Sequence, residues 1–299
     1  MSADTPLAIV TLAAGKGTRM NSDLHKVLHP IAGRPMIEHL LASAAELAPE
    51  RSVVVAGHGR EQLEKQLGDR AVIVVQDPQL GTGHAVQQAE VALQGFDGVV
   101  LVLYGDVPFV CAATLRTMIE RLHRADQPAV VVLGFEPADT LQYGRVIADG
   151  DRIIKMVEHK DASEAERACR LCNSGLMALR SKDLFDLLAR VGNQNSQGEY
   201  YLVDVVNVAN ADGRTCAVVV TPDPGEVEGI NSRAELAQAE AALQGFDGVV
   251  LVLYGDVPFV APATMRAMIE RPRARSGRSP VAGGLSNASR PETKTLRAP

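Results

Sequence analysis

The chain has 299 residues, a formal net charge of −6 and a 46% share of hydrophobic residues, with few aromatics and no Trp. Such a length holds one large domain or two small ones around a sizeable core. The acidic balance argues against non-specific nucleic-acid binding, and no apolar run reaches bilayer-spanning length, so neither nucleic acid nor membrane is an expected partner.

The first apolar run, LAIVTL (7–12), does not alternate, as expected of a parallel strand buried on both faces. Helical spacing in PMIEHLLASAAEL (35–47), REQLEKQL (60–67), GHAVQQAEVAL (83–93) and ATLRTMIERL (113–122) alternates with the strand-like runs SVVVA (52–56), AVIVVQ (71–76), VVLVLY (99–104) and PAVVVLGF (128–135). This rhythm predicts an α/β fold with a doubly wound, mostly parallel sheet. Past residue 140 the pattern loosens. YGRVIADGDRIIKMVEH (143–159) reads as two strands around a turn, NSGLMAL (173–179) as a strand, and SKDLFDLLARV (181–191) as a helix with Ser181 as N-cap. EYYLVDVVNVANA (199–211) reads as a helix, TCAVVV (215–220) as a strand and NSRAELAQAEAAL (231–243) as a helix.

Two stretches suggest chemistry. LAAGKGTRM (12–20) follows the first strand and is expected to precede a helix; backbone N–H groups in such a loop can point at phosphate, and Lys16, Arg19 and Lys26 add positive charge nearby. The loop lacks the P-loop spacing, and Met20 stands where the dinucleotide fingerprint needs its third glycine. A plain β–α turn with surface charges is the alternative. Asp106 lies just past VVLVLY, at the carboxyl end of a strand, where open α/β sheets place ligands. It suits Mg²⁺, or it caps the next helix. Cys169 and Cys172 form a lone CxxC, with ordinary thiols or a redox or metal role open to it.

Taken in order, the loop followed by KVLHPIAGRPMIEH (26–39), then QLGTGHA (79–85), YGDVP (104–108), YGR (143–145), VEHKDA (157–162), NSG (173–175), QGEYY (197–201) and VEGINSR (227–233), resembles the sugar nucleotidyltransferases. The similarity spans residues 7–240 and is most specific to the uridyltransferase half of the bifunctional enzymes that make UDP-N-acetylglucosamine. It implies a mixed sheet of the nucleotide-diphospho-sugar transferase type. It implies Mg²⁺-dependent transfer of UMP from UTP to N-acetyl-α-D-glucosamine 1-phosphate, with a product that feeds peptidoglycan and lipopolysaccharide synthesis. By the same resemblance the backbone of Leu12, Ala13, Ala14 and Gly15 holds the nucleotide, and Gln76, Gly81 and Thr82 recognise uracil. Arg19 and Lys26 neutralise the triphosphate as the catalytic cations. Tyr104, Gly144, Glu158, Asn173 and Tyr201 form the sugar side, and Asp106 and Asn231 ligate Mg²⁺, Asn231 doubling as a helix N-cap. No general base is required, so His84 and His159 are assigned packing or helix-terminus roles. Val203 stands where the family carries a hydroxyl, an expected loss of one ligand contact, and His25 replaces a common Pro. A nucleotidyltransferase for another sugar phosphate, or an inactive nucleotide-sugar binder, are the alternatives.

The stretch ALQGFDGVVLVLYGDVPFV occurs at 92–110 and again, letter for letter, at 242–260. A period of 150 residues is too long for a solenoid, and Asp256 has no glycine loop or QLGTGHA segment of its own. Pro262 and Pro272 are expected to interrupt what was a helix, and VVLVLY (249–254) would be an orphan strand. From Arg271 onward, seven Arg or Lys stand against one Glu in a stretch rich in Pro, Gly and Ser, which predicts disorder. The expected organisation is thus a nucleotidyltransferase domain at 1–240, an aberrant copy at 241–270 and a disordered basic tail at 271–299. The family's acetyltransferase β-helix, which forms trimers, has no counterpart after Glu240, so that activity is expected to be absent and the chain to be a monomer. The N-terminus carries no signal-peptide pattern, and the cytoplasm is the expected location.

Overall fold

The non-alternating N-terminal run forms strand β1 (Leu7–Ala13), buried at every position. The computed structural model describes residues 5–244; the expectations for the copied strand and the basic tail fall on 245–299, outside the described residues. A small ribbon of β2 (Pro30–Ile31) and β3 (Arg34–Pro35) follows, then α1 (Met36–Ala45), β4 (Arg51–Ala56), α2 (Arg60–Leu67), β5 (Val72–Val75), α3 (Thr82–Gln87), β6 (Val99–Tyr104) and α4 (Ala112–Leu122). The remainder is β7 (Val130–Phe135), β8 (Arg145–Asp149), β9 (Arg152–Val157), α5 (Glu164–Arg167), β10 (Cys172–Arg180), α6 (Ser181–Leu188), α7 (Asp204–Ala211), β11 (Cys216–Val220) and α8 (Arg233–Gln244).

Nine strands form one sheet in the order β5-β4-β1-β6-β10-β7-β11-β9-β8. It is parallel from β5 to β6, and β10 enters antiparallel between β6 and β7. β7 and β11 are parallel, and β8 and β9 form an antiparallel edge. Successive side chains of each strand point to opposite faces, and both faces are covered. Val10, Val100, Val102 and Val132 pack with Val86 of α3, Leu184 of α6 and Val205 of α7. Ile9, Leu101, Leu103 and Leu133 pack with Leu40 of α1 and with Leu115 and Met118 of α4. Burial on both faces is why these strands show no polar alternation.

Several local expectations are corrected. The loop after β1 leads into a single 3₁₀ turn at Thr18–Met20 and not a helix. The helix predicted over 83–93 ends at Gln87, and a 3₁₀ turn at Val91–Leu93 takes over. Residues 199–203 are not helical, because their backbone is engaged elsewhere. Gly83 N–H donates to the Tyr200 carbonyl at 2.8 Å, Tyr200 N–H to the Leu80 carbonyl at 2.8 Å, and Leu202 N–H to the Thr82 hydroxyl at 2.9 Å. Ser181 is no N-cap, since its hydroxyl donates to the Phe96 carbonyl at 2.9 Å and Arg180 holds the cap position. Asn231 is no N-cap either. The Ser232 hydroxyl accepts the Glu235 N–H at 3.2 Å, and the Glu235 carboxylate accepts the Asn231 N–H at 2.6 Å. The Asn231 side chain is thereby left for another partner.

Candidate active site

The carboxyl ends of β1, β4 and β6 open into a cavity of about 910 Å³. Parallel strands leave such a crevice because their connections depart to opposite faces of the sheet. Leu12, Ala13, Ala14 and Gly15 form one wall, with Lys16 beside them. Gln76, Gly81 and Thr82 form a second, and Tyr104, Asp106 and Lys26 close a third.

The glycine loop is shaped by close approaches. A Cβ on Gly17, which has φ +58°, would come within 2.7 Å of Lys26 Cβ, so the second glycine makes room for the lysine stem. A Cβ on Gly57, just past β4, would sit 2.6 Å from the Ala14 carbonyl oxygen. Gln79 Nε2 donates to that same carbonyl. Gly57, His58 and Gln79 thus belong to the cavity wall, and Lys16 also lines it. Sequence reasoning counted Lys16 among the cations near the glycine loop but gave Gly57, His58 and Gln79 no role, although GHG follows the strand next to β1 as directly as LAAG follows β1 itself.

Lys26 does not project freely into the cavity. Its ammonium donates to the Asp106 carboxylate and, at 3.1 Å, to the Asn231 side-chain oxygen. Asn231 is delivered by a loop pinned in two places. Ile230 N–H donates to the Asp106 carbonyl at 2.8 Å, and the Glu226 carboxylate accepts from Thr114 Oγ1 at 2.6 Å and from the Cys111 thiol at 3.1 Å. Arg233 then ties α8 to the first loop through the carbonyls of Met20 and Asn21, both at 2.7 Å. Two hard oxygen donors therefore converge on one cationic group. The described residues include no cluster of three or more His, Cys, Asp or Glu able to enclose a metal. This sparse donor pair suits Mg²⁺, which keeps waters and phosphate oxygens in the rest of its shell, and not a caged ion such as structural Zn²⁺.

Arg19 is not brought to this group. It is exposed on the loop, lines no part of the cavity and makes no hydrogen bond or ion pair among the described residues. None of the four remaining sugar-side residues, Gly144, Glu158, Asn173 and Tyr201, lines the cavity. The Gly144 carbonyl accepts the Asn173 N–H at 2.9 Å, and a Cβ on Gly144 would meet Glu158 Oε2 at 3.4 Å. β10 shifts register between Asn173 and Met177, where Asn173 Oδ1 accepts the Gly175 N–H at 2.9 Å. Gly175, with φ +89°, leaves space for the Tyr104 ring, whose Cζ would be 3.0 Å from an added Cβ. Tyr104 thus joins the cavity to the NSG bulge. Burial raises the pKa of the Glu158 carboxyl, and Asp204, Asp161 and Glu199 reinforce the shift. Burial also raises the Tyr201 phenol, whose oxygen accepts from Gln197 Nε2 at 2.9 Å.

Val203 is buried among the core residues of one sheet face. His25, also buried, has both ring nitrogens without partners, and desolvation lowers its pKa to about 4. Its main-chain N–H donates to Gln62 Oε1 at 2.8 Å, while Gln62 Nε2 donates to the Asp23 carbonyl at 2.9 Å, so one amide clamps the segment that carries Lys26. Cys169 and Cys172 are free thiols, with Sγ atoms directed at main-chain carbonyls. Among the described residues no helix is long and apolar enough to cross a membrane.

The sheet, with a glycine loop after its first strand and an acid after its fourth parallel one, has the mixed α/β fold of the nucleotide-diphospho-sugar transferase type. The chain superimposes with a TM-score of 0.65 on a Bacillus anthracis protein described as a glucose-1-phosphate thymidylyltransferase, at 19% identity, over 82% of this chain and 98% of that one. That likeness concerns the fold alone. The chain belongs to the MobA-like NTP transferase domain family, whose pattern it matches over residues 9–201. It is 79% identical over 241 residues to the bifunctional protein GlmU of Novosphingobium aromaticivorans and 69% identical over 243 residues to that of Sphingopyxis alaskensis. Each match covers 81% of this chain, which spans about half the length of these relatives (53% and 54%).

Proposed function

We propose that the chain transfers UMP from UTP to N-acetyl-α-D-glucosamine 1-phosphate, releasing pyrophosphate and UDP-N-acetylglucosamine for cell-wall and lipopolysaccharide synthesis in the cytoplasm. The observation that carries this reading is the joint grip of Asp106 and Asn231 on the Lys26 ammonium at the mouth of the glycine loop. Three distant segments have built a place for positive charge where two anionic substrates would meet. In the proposed reaction a phosphate oxygen of the sugar phosphate attacks the α-phosphorus of UTP, and the pyrophosphate oxygen departs in line. Such a transfer needs positioning and charge neutralisation more than covalent help.

The roles of the residues follow. Main-chain groups of Leu12 to Gly15 hold the triphosphate, and Lys26 and Lys16 offset its charge. Gln76, Gly81 and Thr82 meet the base. Asp106 and Asn231 would hold Mg²⁺, which when bound supplies neutralisation of the crowded phosphate oxygens. Gly144, Glu158, Asn173 and Tyr201 receive the sugar, with Tyr104 between sugar and nucleotide. The attacking phosphate is already ionised, so no side chain has to remove a proton. Arg19, exposed on the loop and outside the cavity lining, is given no contact in this arrangement.

The test is pyrophosphate release from UTP and N-acetylglucosamine 1-phosphate with Mg²⁺, with dTTP, CTP and other sugar phosphates as competitors. Turnover with that pair, lost by about 100-fold or more in Asp106→Ala, is expected. Wild-type protein that binds UTP without releasing pyrophosphate would refute the enzyme in favour of a nucleotide-sugar binder.

A further inference from the structure

Gln76 lies in the cavity wall and is 5% exposed. Its side-chain nitrogen donates to the Gly81 carbonyl at 2.8 Å. A carbonyl oxygen only accepts, so this contact fixes which end of the amide points inward. The same nitrogen stands 3.1 Å from Nδ1 of His84. Nδ1 must then be the proton-free ring nitrogen, accepting the second amide hydrogen. With both hydrogens engaged, Oε1 is the one side-chain atom of Gln76 left for a ligand.

The Gly81 partner is not free to drift. Gly81 has φ +110°, and a Cβ there would lie 2.6 Å from the Tyr200 carbonyl oxygen, so its backbone is locked against the 199–202 segment. His84 stands in the first turn of α3; with Nδ1 accepting, Nε2 carries the ring proton, so the half-buried Gln88 amide nitrogen 3.2 Å away is no acceptor for it and is held instead by the His84 carbonyl at 3.0 Å.

We infer that His84 is a specificity-determining positioning residue, holding the Gln76 amide so that a nucleotide base meets an acceptor alone. The inference rests on the uridyltransferase reading. An acceptor at this point favours a pyrimidine that carries an N–H donor, as uracil and thymine do at N3, and disfavours cytosine, which presents a lone pair there. Without the imidazole acceptor only the Gly81 carbonyl holds the amide nitrogen, and the rotated amide, which offers an N–H to cytosine, becomes more accessible by the worth of one hydrogen bond. His84 thus acts on selection between pyrimidines through Gln76, without touching the reacting phosphates.

The experiment compares kcat/KM for UTP and CTP in wild type, His84→Leu and His84→Asn, by pyrophosphate release at fixed N-acetylglucosamine 1-phosphate. His84→Leu should lower the UTP-to-CTP ratio by about tenfold, the worth of one hydrogen bond, and leave kcat for saturating UTP nearly unchanged. His84→Asn, whose Oδ1 can replace the Nδ1 acceptor, should restore the ratio. A UTP-selective wild type with an equally selective His84→Leu overturns this inference alone, and so does an equal loss of selectivity in Leu and Asn variants. A wild type with no preference for UTP over CTP overturns both this inference and the uridyltransferase reading. Should His84→Leu fail to fold, His84→Phe carries the same comparison.

Discussion

His25 shows how one side chain can set a pH dependence. It is 7% exposed, both ring nitrogens lack partners, and its folded pKa of about 4 lies below the ordinary 6.5 because burial disfavours the charged ring. Between these two values the unfolded chain binds a proton that the folded chain refuses. Stability is therefore fully present above pH 6.5 and is lost as pH falls toward 4. Between pH 7 and 4.5 this amounts to about 2–3 kcal/mol. Thermal melts at the two pH values should show that difference in wild type and a smaller one in His25→Gln, which stays neutral throughout. Equal pH slopes in the two proteins would refute the assignment. The position precedes Lys26, so its acid sensitivity is expected in nucleotide affinity as well as in melting.

At the scale of elements, the cavity depends on where strands and loops come closest. Gly57 follows β4 against the carbonyl of Ala14; the Gln79 amide beside it can swing away, but the Ala14 carbonyl is backbone, which no rotamer change can move. Gly57→Ala should cost about 1–3 kcal/mol and raise the KM for UTP more than it lowers kcat, measured by melting and steady-state kinetics. The loop before α8 depends instead on Glu226, which accepts from Thr114 of α4 and from the adjoining Cys111. Glu226→Ala should loosen the approach of Asn231 to Asp106. The Mg²⁺ concentration for half-maximal activity should rise severalfold while the rate at saturating Mg²⁺ stays near wild type. A fall in the saturated rate with no shift in Mg²⁺ requirement would contradict that role.

At the scale of the whole molecule, the repeated stretch raises the question of a second site. Asp106 acts with Lys26, Asn231 and the N–H of Ile230, and each of these partners occurs once in the chain. Asp256→Asn should therefore leave pyrophosphate release unchanged, and a loss comparable with that of the Asp106 variant would show that the copy contributes. At the 150-residue offset, Pro262 and Pro272 align with Ala112 and Leu122, the first and last residues of α4. The interruption expected at these prolines falls on residues outside those described. Much of the fold was legible because a strand buried on both faces must be apolar at consecutive positions, and LAIVTL and VVLVLY are. The glycine loop and the acid after β6 were legible because each sits at a strand's carboxyl end. Gly57 and Gln79 were passed over because their importance comes from a close approach to Ala14, which spacing does not encode. The 199–203 arm was misread as helix because its backbone partners, Leu80 to Gly83, lie far away in the chain. What the sequence determined by itself was the alternation of strand and helix and the set of polar residues at the strand ends, since both follow from local burial. Tertiary structure alone decided that Lys26, Asp106 and Asn231 share one point and that Gln76 has its nitrogen engaged, because those facts depend on contacts between segments as far as 205 residues apart.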